Sequence, residues 1–192
     1  MQITDNFDSG NIRVLEANSA DNIQLEIKHD NQSEFYQWFH FKLHNNARCE
    51  HVMRIINAGG AAYLEGWEDY QAVASYDRDH WFRVPTSYDG EKLTITLTPE
   101  YDSVYFAYFS PYSYERHQDL IHNAQMHIDC QLEVLGQTID GRDMSLLKIG
   151  EEGEGKRIIW LTARQHPGET MAEWFIEGLV DRLLDEDDGV AR

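Results

Sequence analysis

A histidine and a glutamate three residues apart form the strongest chemical signal in the sequence. His166 and Glu169 lie in the tetrapeptide HPGE, with Pro167 and Gly168 between them. Proline cannot continue a strand ladder, and glycine lets the backbone approach a ligand closely. An imidazole and a carboxylate at such a turn can converge on one metal ion, and zinc accepts both ligand types. The hypothesis is that His166 and Glu169 bind Zn²⁺.

The segments on either side of HPGE predict a strand and a helix. Residues 157–162 (RIIWLT) are mostly β-branched or aromatic, which is typical of a strand covered on both faces. After the turn, apolar residues recur at helical spacing and charged residues fall off that stripe. The stripe contains Ala172, Phe175, Ile176, Leu179 and Leu183, and the residues off it are Glu173, Glu177, Asp181 and Arg182.

Spacing alone leaves other interpretations of these residues open. Glutamate near a helix start is favourable on dipole grounds, so HPGE is also typical of a turn histidine followed by a capping glutamate. Arg164 precedes His166 by two residues and could meet a substrate carboxylate, or it could form a salt bridge with a neighbouring acid. His40 and His44 would lie about 13 Å apart along a strand, which argues against a shared metal.

Composition and charge predict an acidic globular protein. The chain is 42% hydrophobic, enough for a packed core, and has no apolar run long enough to span a membrane. Its net charge is −18, with 17 acidic and 8 basic residues in 1–112 and the remainder in 113–192. Nucleic acid is therefore not an expected partner, because phosphate contacts need clustered Lys and Arg. Only two cysteines and no visible secretory signal predict a cytoplasmic location.

The first part of the chain has the periodicity of strands. Ile23, Leu25 and Ile27 alternate with polar residues, and so do Leu93, Ile95 and Leu97. Further strands are predicted at 35–43, 51–57, 81–84 and 103–109, with turn signals at 8–10, 44–46, 57–60 and 88–90. About seven short strands without an intervening helix favour an antiparallel β-sandwich domain over 1–112.

The second part, 113–192, predicts the first part of an α/β domain. A helix is expected at 114–126 and strands at 130–134 and 145–149, before the 157–162 strand and the long helix. One long helix and three strands make a small core for a finished α/β domain. We therefore expect this domain to be incomplete and the chain to be the N-terminal part of a longer protein.

Three segments resemble the cytosolic carboxypeptidases, a branch of the zinc carboxypeptidase A superfamily. They are TARQHPGETMAEWFIEGLVDRLL (162–184), VYFAYFSPYSYERHQDLI (104–121) and LGQTIDGRDMSLLKIG (135–150). The β-rich first part is also similar to the N-terminal sandwich domain of that family. The resemblance implies that His166 and Glu169 are two of three zinc ligands. It also implies that the third ligand and the general-base glutamate lie beyond residue 192, so no catalytic residue is assigned here.

The resemblance implies a zinc-dependent metallocarboxypeptidase that removes C-terminal residues from peptides or proteins. Activity from these 192 residues alone is not expected, since a catalytic zinc needs three protein ligands and a general base. Two alternatives stay open: a zinc amidohydrolase or deacylase on the same scaffold, and a non-catalytic binding or assembly module. The expected partner is a peptide or protein C-terminus, with no nucleic acid and no membrane, and homo-oligomerisation is left open.

Overall fold

The computed structural model describes residues 1–44 and 47–189. Within them, the first part of the chain forms ten short strands. The chain forms two units: Met1–Pro111 with His166–Gly168, and Tyr112–Gln165 with Glu169–Arg192. The strands of the first unit are β1 (Gln2–Thr4), β2 (Arg13–Ser19), β3 (Asn22–Glu26), β4 (His40–His44), β5 (His51–Ile55), β6 (Val73–Ser75), β7 (Phe82–Arg83), β8 (Thr86–Tyr88), β9 (Leu93–Leu97) and β10 (Ser103–Ala107).

These strands form two five-stranded sheets. The strand orders are β1-β4-β10-β6-β7 and β2-β3-β5-β9-β8. Apolar residues of both sheets join one buried cluster, as the alternating pattern predicts, and Phe41 stacks on Phe106 at 5.2 Å within it. Burying each such side chain contributes roughly 1.5–3 kcal/mol. The predicted β-sandwich is confirmed, with one difference: β3 and β5 run parallel, while the other pairs are antiparallel.

The predicted strand at 35–43 begins only at His40. The carbonyl of Tyr36 accepts a hydrogen bond from the Ala62 amide, and the carbonyl of Trp38 accepts one from the Asn11 side chain. Because these carbonyls bond to groups outside the named strands, residues 35–39 are not part of a strand ladder. The short strands β1, β2, β6 and β8 were not predicted. Asn45 and Asn46, in one predicted turn, lie outside the described residues.

The predicted turn at 88–90 shows how local chemistry sets a hairpin. Gly90 has φ +99°, a conformation that side chains with a Cβ rarely adopt. The Asp89 carboxylate accepts hydrogen bonds from the amides of Glu91 and Lys92 at 2.9 and 2.7 Å. These bonds close the turn between β8 and β9, so their antiparallel register follows from the local sequence.

The second unit contains a hairpin and two helices. Its elements are α1 (Tyr114–Ala124), β11 (Cys130–Gln137), β12 (Asp143–Ile149) and α2 (Thr170–Leu184). Ser113 caps α1 by accepting a hydrogen bond from the Arg116 amide at 3.1 Å. A small cluster around Ala124, Cys130 and Val180 packs the helices on the hairpin. Within the described residues, no helix has both the length and the apolarity to cross a bilayer.

The predicted buried strand at 157–162 is wrong in this structure. The segment forms no helix, turn or strand and joins no sheet of the described residues. Its apolar side chains are exposed, from 52% for Leu161 to 88% for Ile158. A strand needs a hydrogen-bonded neighbour, and the hairpin β11–β12 pairs only with itself. Composition therefore favoured a strand without identifying a partner strand for it.

The predicted apolar stripe of α2 is only partly turned inward: Ile176 packs against the buried cluster of this unit, but two other members are exposed. Phe175 is 61% exposed and Leu183 39% exposed, whereas Glu173 is buried together with Thr170 and Val180. On this other face, Glu173 is paired with Arg164 and lies within hydrogen-bond distance of His117, as described below. Periodicity located the helix correctly but did not determine which face the neighbouring elements cover.

His40, the first residue of β4, lies inside the sandwich unit and is 3% exposed. Its Nδ1 lies 3.0 Å from Ser9 Oγ, and its Nε2 is buried without a hydrogen-bond partner in the described residues. Four aromatic rings surround it, those of Phe7, Trp38, Trp81 and Tyr105. Burial, reinforced by the charge of Arg78, lowers the pKa of His40 to about 3.

His40 should make the stability of the sandwich unit depend on pH. The folded chain keeps the imidazole neutral, whereas the unfolded chain binds a proton below its ordinary pKa of 6.5. The stabilisation is therefore complete above pH 6.5 and is lost as the pH falls toward 3. Between pH 7 and pH 5 the wild type should lose about 2 kcal/mol more unfolding free energy than His40→Phe, measured by urea titration at each pH.

The control for this measurement is His122→Gln, which removes an exposed imidazole from α1. This variant should follow the wild-type pH dependence. If His40→Phe does so as well, the buried imidazole is not the source of the pH dependence.

Candidate metal centre

The tetrapeptide HPGE forms the turn that leads into α2. Residues 166–168 bend the chain, and Glu169 is the N-cap of the helix that begins at Thr170. The carbonyl of Glu169 accepts a hydrogen bond from the Ala172 amide at 3.1 Å, but its side chain makes no capping hydrogen bond. A capping hydrogen bond is therefore not the role of this carboxylate, while its favourable position at the helix N-terminus stays an alternative.

His166 and Glu169 supply suitable ligand types for zinc but too few ligands for a complete catalytic site. His166 is exposed and Glu169 is half-buried. Within residues 1–44 and 47–189, no group of three or more His, Cys, Asp or Glu side chains could hold a metal ion. Because a catalytic zinc takes three protein ligands and a water, the described residues fit such a site only as part of it.

Gly168, between the two candidate ligands, packs closely against an aromatic ring. A Cβ built on this residue would lie 3.3 Å from Tyr108 Cε1 and 3.4 Å from Cδ1. Tyr108 is 5% exposed, and its hydroxyl lies 3.4 Å from the donating amide of Gln37. The rings packed around it belong to Phe39, Trp67, Tyr70 and Phe109. The turn therefore has little room for a side chain at position 168.

Arg164 lies two residues before the turn and has an unusual backbone conformation. Its φ is +54°, in the left-handed region that favours glycine. Its Nη1 donates to Glu173 Oε2 at 2.6 Å and to the carbonyl of Tyr112 at 2.9 Å. The salt-bridge alternative for Arg164 is therefore present in the structure. Its role in binding a substrate carboxylate stays a prediction.

Glu173 is the most deeply buried acid on α2, at 9% exposed. Its Oε2 pairs with Arg164, and its Oε1 lies 2.8 Å from Nδ1 of His117 on α1. Burial by itself raises the pKa of Glu173, but the hydrogen bonds from His117 and Arg164 outweigh burial and lower it overall. The carboxylate is thus kept ionised because it has two partners.

A second ion pair lies one helical turn further along α2. Glu177 accepts hydrogen bonds from Arg116 Nε at 2.7 Å and from the Tyr112 hydroxyl. The Arg116 guanidinium also lies 4.3 Å from the ring centroid of Trp174. The hydrogen bond from Arg116 lowers the pKa of Glu177 against the opposing effect of burial, while burial and the bond to Glu177 raise the pKa of Tyr112. Both acids on this face of α2 therefore hold cations.

Comparison with known families settles where the chain belongs. The family model described as the cytosolic carboxypeptidase N-terminal domain matches residues 3–109, and the one described as zinc carboxypeptidase matches residues 117–192. The chain belongs to the cytosolic carboxypeptidase family. Membership confirms the resemblance inferred from the three sequence segments, and HPGE lies within the zinc carboxypeptidase match.

Individual proteins similar to this chain include members of the same family and solved carboxypeptidase structures. An uncharacterized protein of Zymomonas mobilis subsp. mobilis is 49% identical over 100% of this chain and 50% of its own length. Cytosolic carboxypeptidase 6 of Mus musculus is 30% identical over 94% of this chain and 37% of its own. A metallo-carboxypeptidase from Pseudomonas aeruginosa, solved in complex with (2-guanidinoethylmercapto)succinic acid, is 46% identical with a TM-score of 0.91, covering 98% of this chain and 50% of its own. The chain spans half or less of the length of these relatives.

Sequence reasoning found the candidate ligands of this cytosolic carboxypeptidase chain but missed their surroundings. Glu173 and Glu177 were assigned to the polar face of the helix, yet both are paired and turned inward. A signal was available in their spacing, because acids at 169, 173 and 177 repeat every four residues and share one helix face. That spacing does not reveal which cations face them.

Gly168→Ala should destabilise the chain, because the new Cβ meets a tyrosine ring that is itself tightly packed. We expect a loss of about 1–2 kcal/mol in unfolding free energy by urea titration. The matched control is Gly178→Ala in the middle of α2, where a Cβ meets nothing within 4 Å. That variant should gain about 0.5–1 kcal/mol from helix propensity. A Gly168→Ala variant as stable as the wild type would mean that the Tyr108 ring can move aside at little cost in free energy.

Proposed function

We propose that this chain is the N-terminal part of a zinc metallocarboxypeptidase that hydrolyses C-terminal residues of peptides or proteins. The proposal rests on one observation: the zinc carboxypeptidase match over residues 117–192 contains the HPGE turn at the start of α2. Residues 1–112 form a β-sandwich domain in this proposal, and residues 113–192 begin the catalytic domain.

His166 and Glu169 act as two of three protein ligands to the metal. A third ligand and the general base are assigned to a part of the longer protein outside residues 1–192, because the relatives are about twice as long or longer. Zinc held at such a site polarises a scissile carbonyl and lowers the pKa of its bound water to about 7. The role of this chain is to hold and orient two of the metal's ligands.

The substrate in this proposal is a peptide or protein terminus that carries a free carboxylate. The Pseudomonas aeruginosa relative was solved in complex with a substituted succinic acid, a compound that contains carboxyl groups. With a net charge of −18, this chain would repel an acidic tail unless basic groups lie close to the metal. An acidic substrate is therefore not favoured by the residues of this chain.

A cytoplasmic location is also proposed. Cys49 and Cys130 are both free thiols in the structure, which suits a reducing compartment. The family model that matches residues 3–109 likewise carries the word cytosolic in its description.

The ligand assignment is tested in the longest natural polypeptide that contains residues 1–192. His166→Ala and Glu169→Ala should each reduce bound zinc well below one equivalent, measured by metal analysis after dialysis. Carboxypeptidase kcat/KM should fall by more than about 100-fold, since outer-shell changes alone cost 10–100-fold. The controls are His122→Ala and Glu154→Ala, which remove an exposed histidine and an exposed glutamate elsewhere. Wild-type zinc and activity in both ligand variants would refute the assignment.

The 192-residue chain by itself should behave differently from the longer polypeptide. With two ligands it should retain little zinc after dialysis and show no carboxypeptidase activity, because two donors leave the metal under-coordinated. Equilibrium dialysis against buffered zinc measures this directly. Tight, stoichiometric zinc in the short chain would show that it contains a complete site.

A further inference from the structure

The backbone of Arg164 has a conformation that is unfavourable for a residue with a Cβ. Among the described residues of the second unit, it is the one non-glycine residue with a positive φ, at +54°. Left-handed backbone is unfavourable for a residue with a Cβ and persists where surrounding contacts fix it. Arg164 lies two residues before His166, so its conformation sets the direction in which the chain enters the HPGE turn.

The side chain of Arg164 makes contacts that support this conformation. One guanidinium nitrogen donates both to the Tyr112 carbonyl, just before α1, and to the Glu173 carboxylate in the first turn of α2. We call these three groups the Arg164 clamp. The clamp is rigid at its far end, because Glu173 is 9% exposed and its other oxygen pairs with His117.

We propose that the Arg164 clamp is a positioning device for the metal ligand His166. This inference rests on the proposed function, in which His166 holds zinc. Metal ligands must be held close to their productive geometry by supporting contacts, and losing such support weakens metal binding. The clamp ties the backbone two residues before His166 to α2, the helix whose N-cap residue is Glu169.

The clamp also gives Arg164 a role other than substrate binding. Its guanidinium charge is already compensated by the buried Glu173 carboxylate at 2.6 Å. A substrate carboxylate at the same nitrogen would compete with that pair. Arg164 is therefore a positioning residue in this inference, and its loss should change the zinc affinity as well as the rate.

The test uses Arg164→Ala, Arg164→Gly, Glu173→Ala and Glu173→Gln in the longest natural polypeptide. Zinc dissociation constants are measured by competition with a chelator. Arg164→Ala and Glu173→Ala should bind zinc at least about tenfold more weakly than the wild type. Glycine adopts the left-handed conformation without help, so Arg164→Gly should bind zinc several-fold more tightly than Arg164→Ala. Glu173→Gln, which keeps one acceptor for Arg164, should lie between Glu173→Ala and the wild type.

Controls separate positioning from a general loss of structure. Arg182→Gln removes the bond to Asp188 near the end of the same helix and should leave zinc affinity unchanged. Thermal unfolding of each variant identifies the folded ones, and Glu173→Gln supplies the comparison if Glu173→Ala does not fold. The kinetic signature of positioning is a fall in kcat, measured at saturating substrate, that follows the lower zinc occupancy of the variant.

Three results would overturn the inference. Wild-type zinc affinity in Arg164→Ala and Glu173→Ala, beside a loss in His166→Ala, refutes the clamp and leaves the proposed function standing. A rise in KM alone in Arg164→Ala, with zinc affinity and kcat unchanged, assigns Arg164 to the substrate instead. Wild-type zinc in His166→Ala refutes the proposed function, and the clamp inference with it.

Discussion

A strand is stable only when its backbone groups and apolar side chains have neighbours, and this constraint separates the two units of the chain. In the sandwich unit, each of the ten strands is hydrogen-bonded within one of two sheets, and both sheets contribute to one buried cluster. In the second unit, the described strands form one hairpin, and the apolar segment 157–162 has no paired strand. The first unit thus meets the constraint by its own residues.

Where apolar packing is sparse, ionic contacts organise the second unit. Its buried cluster is small, but Glu173 and Glu177 on α2 hold Arg164, His117 and Arg116. A buried ion pair is a weak source of net stability, because desolvation offsets most of the attraction. Such a pair contributes to geometry instead, because each carboxylate oxygen accepts its hydrogen bonds at fixed positions. The pairs therefore specify how α1, α2 and the chain before HPGE are arranged within this unit.

The turn between Arg164 and Thr170 concentrates several local constraints in a few residues. Arg164 has a left-handed backbone, Gly168 has little room for a Cβ beside Tyr108, and Glu169 is an N-cap without a capping side-chain bond. Each feature departs from what local propensity favours. Departures of this kind are expected at functional sites, where the surrounding structure maintains a geometry that the local sequence would not adopt alone.

The sequence by itself determined the class of the fold, the positions of most elements and the two candidate ligands. Alternation at Ile23–Leu25 and at Leu93–Leu97 predicted strands, and Asp89 with Gly90 predicted a hairpin turn. Three segments, one of which contains HPGE, indicated the family. These features are local, so spacing and residue type are enough to reveal them. Tertiary structure alone decided that β3 pairs in parallel with β5, that 157–162 is exposed, and that α2 buries Glu173 rather than Phe175. The reason is that pairing and burial depend on neighbours distant in the chain, and a periodic pattern does not identify them.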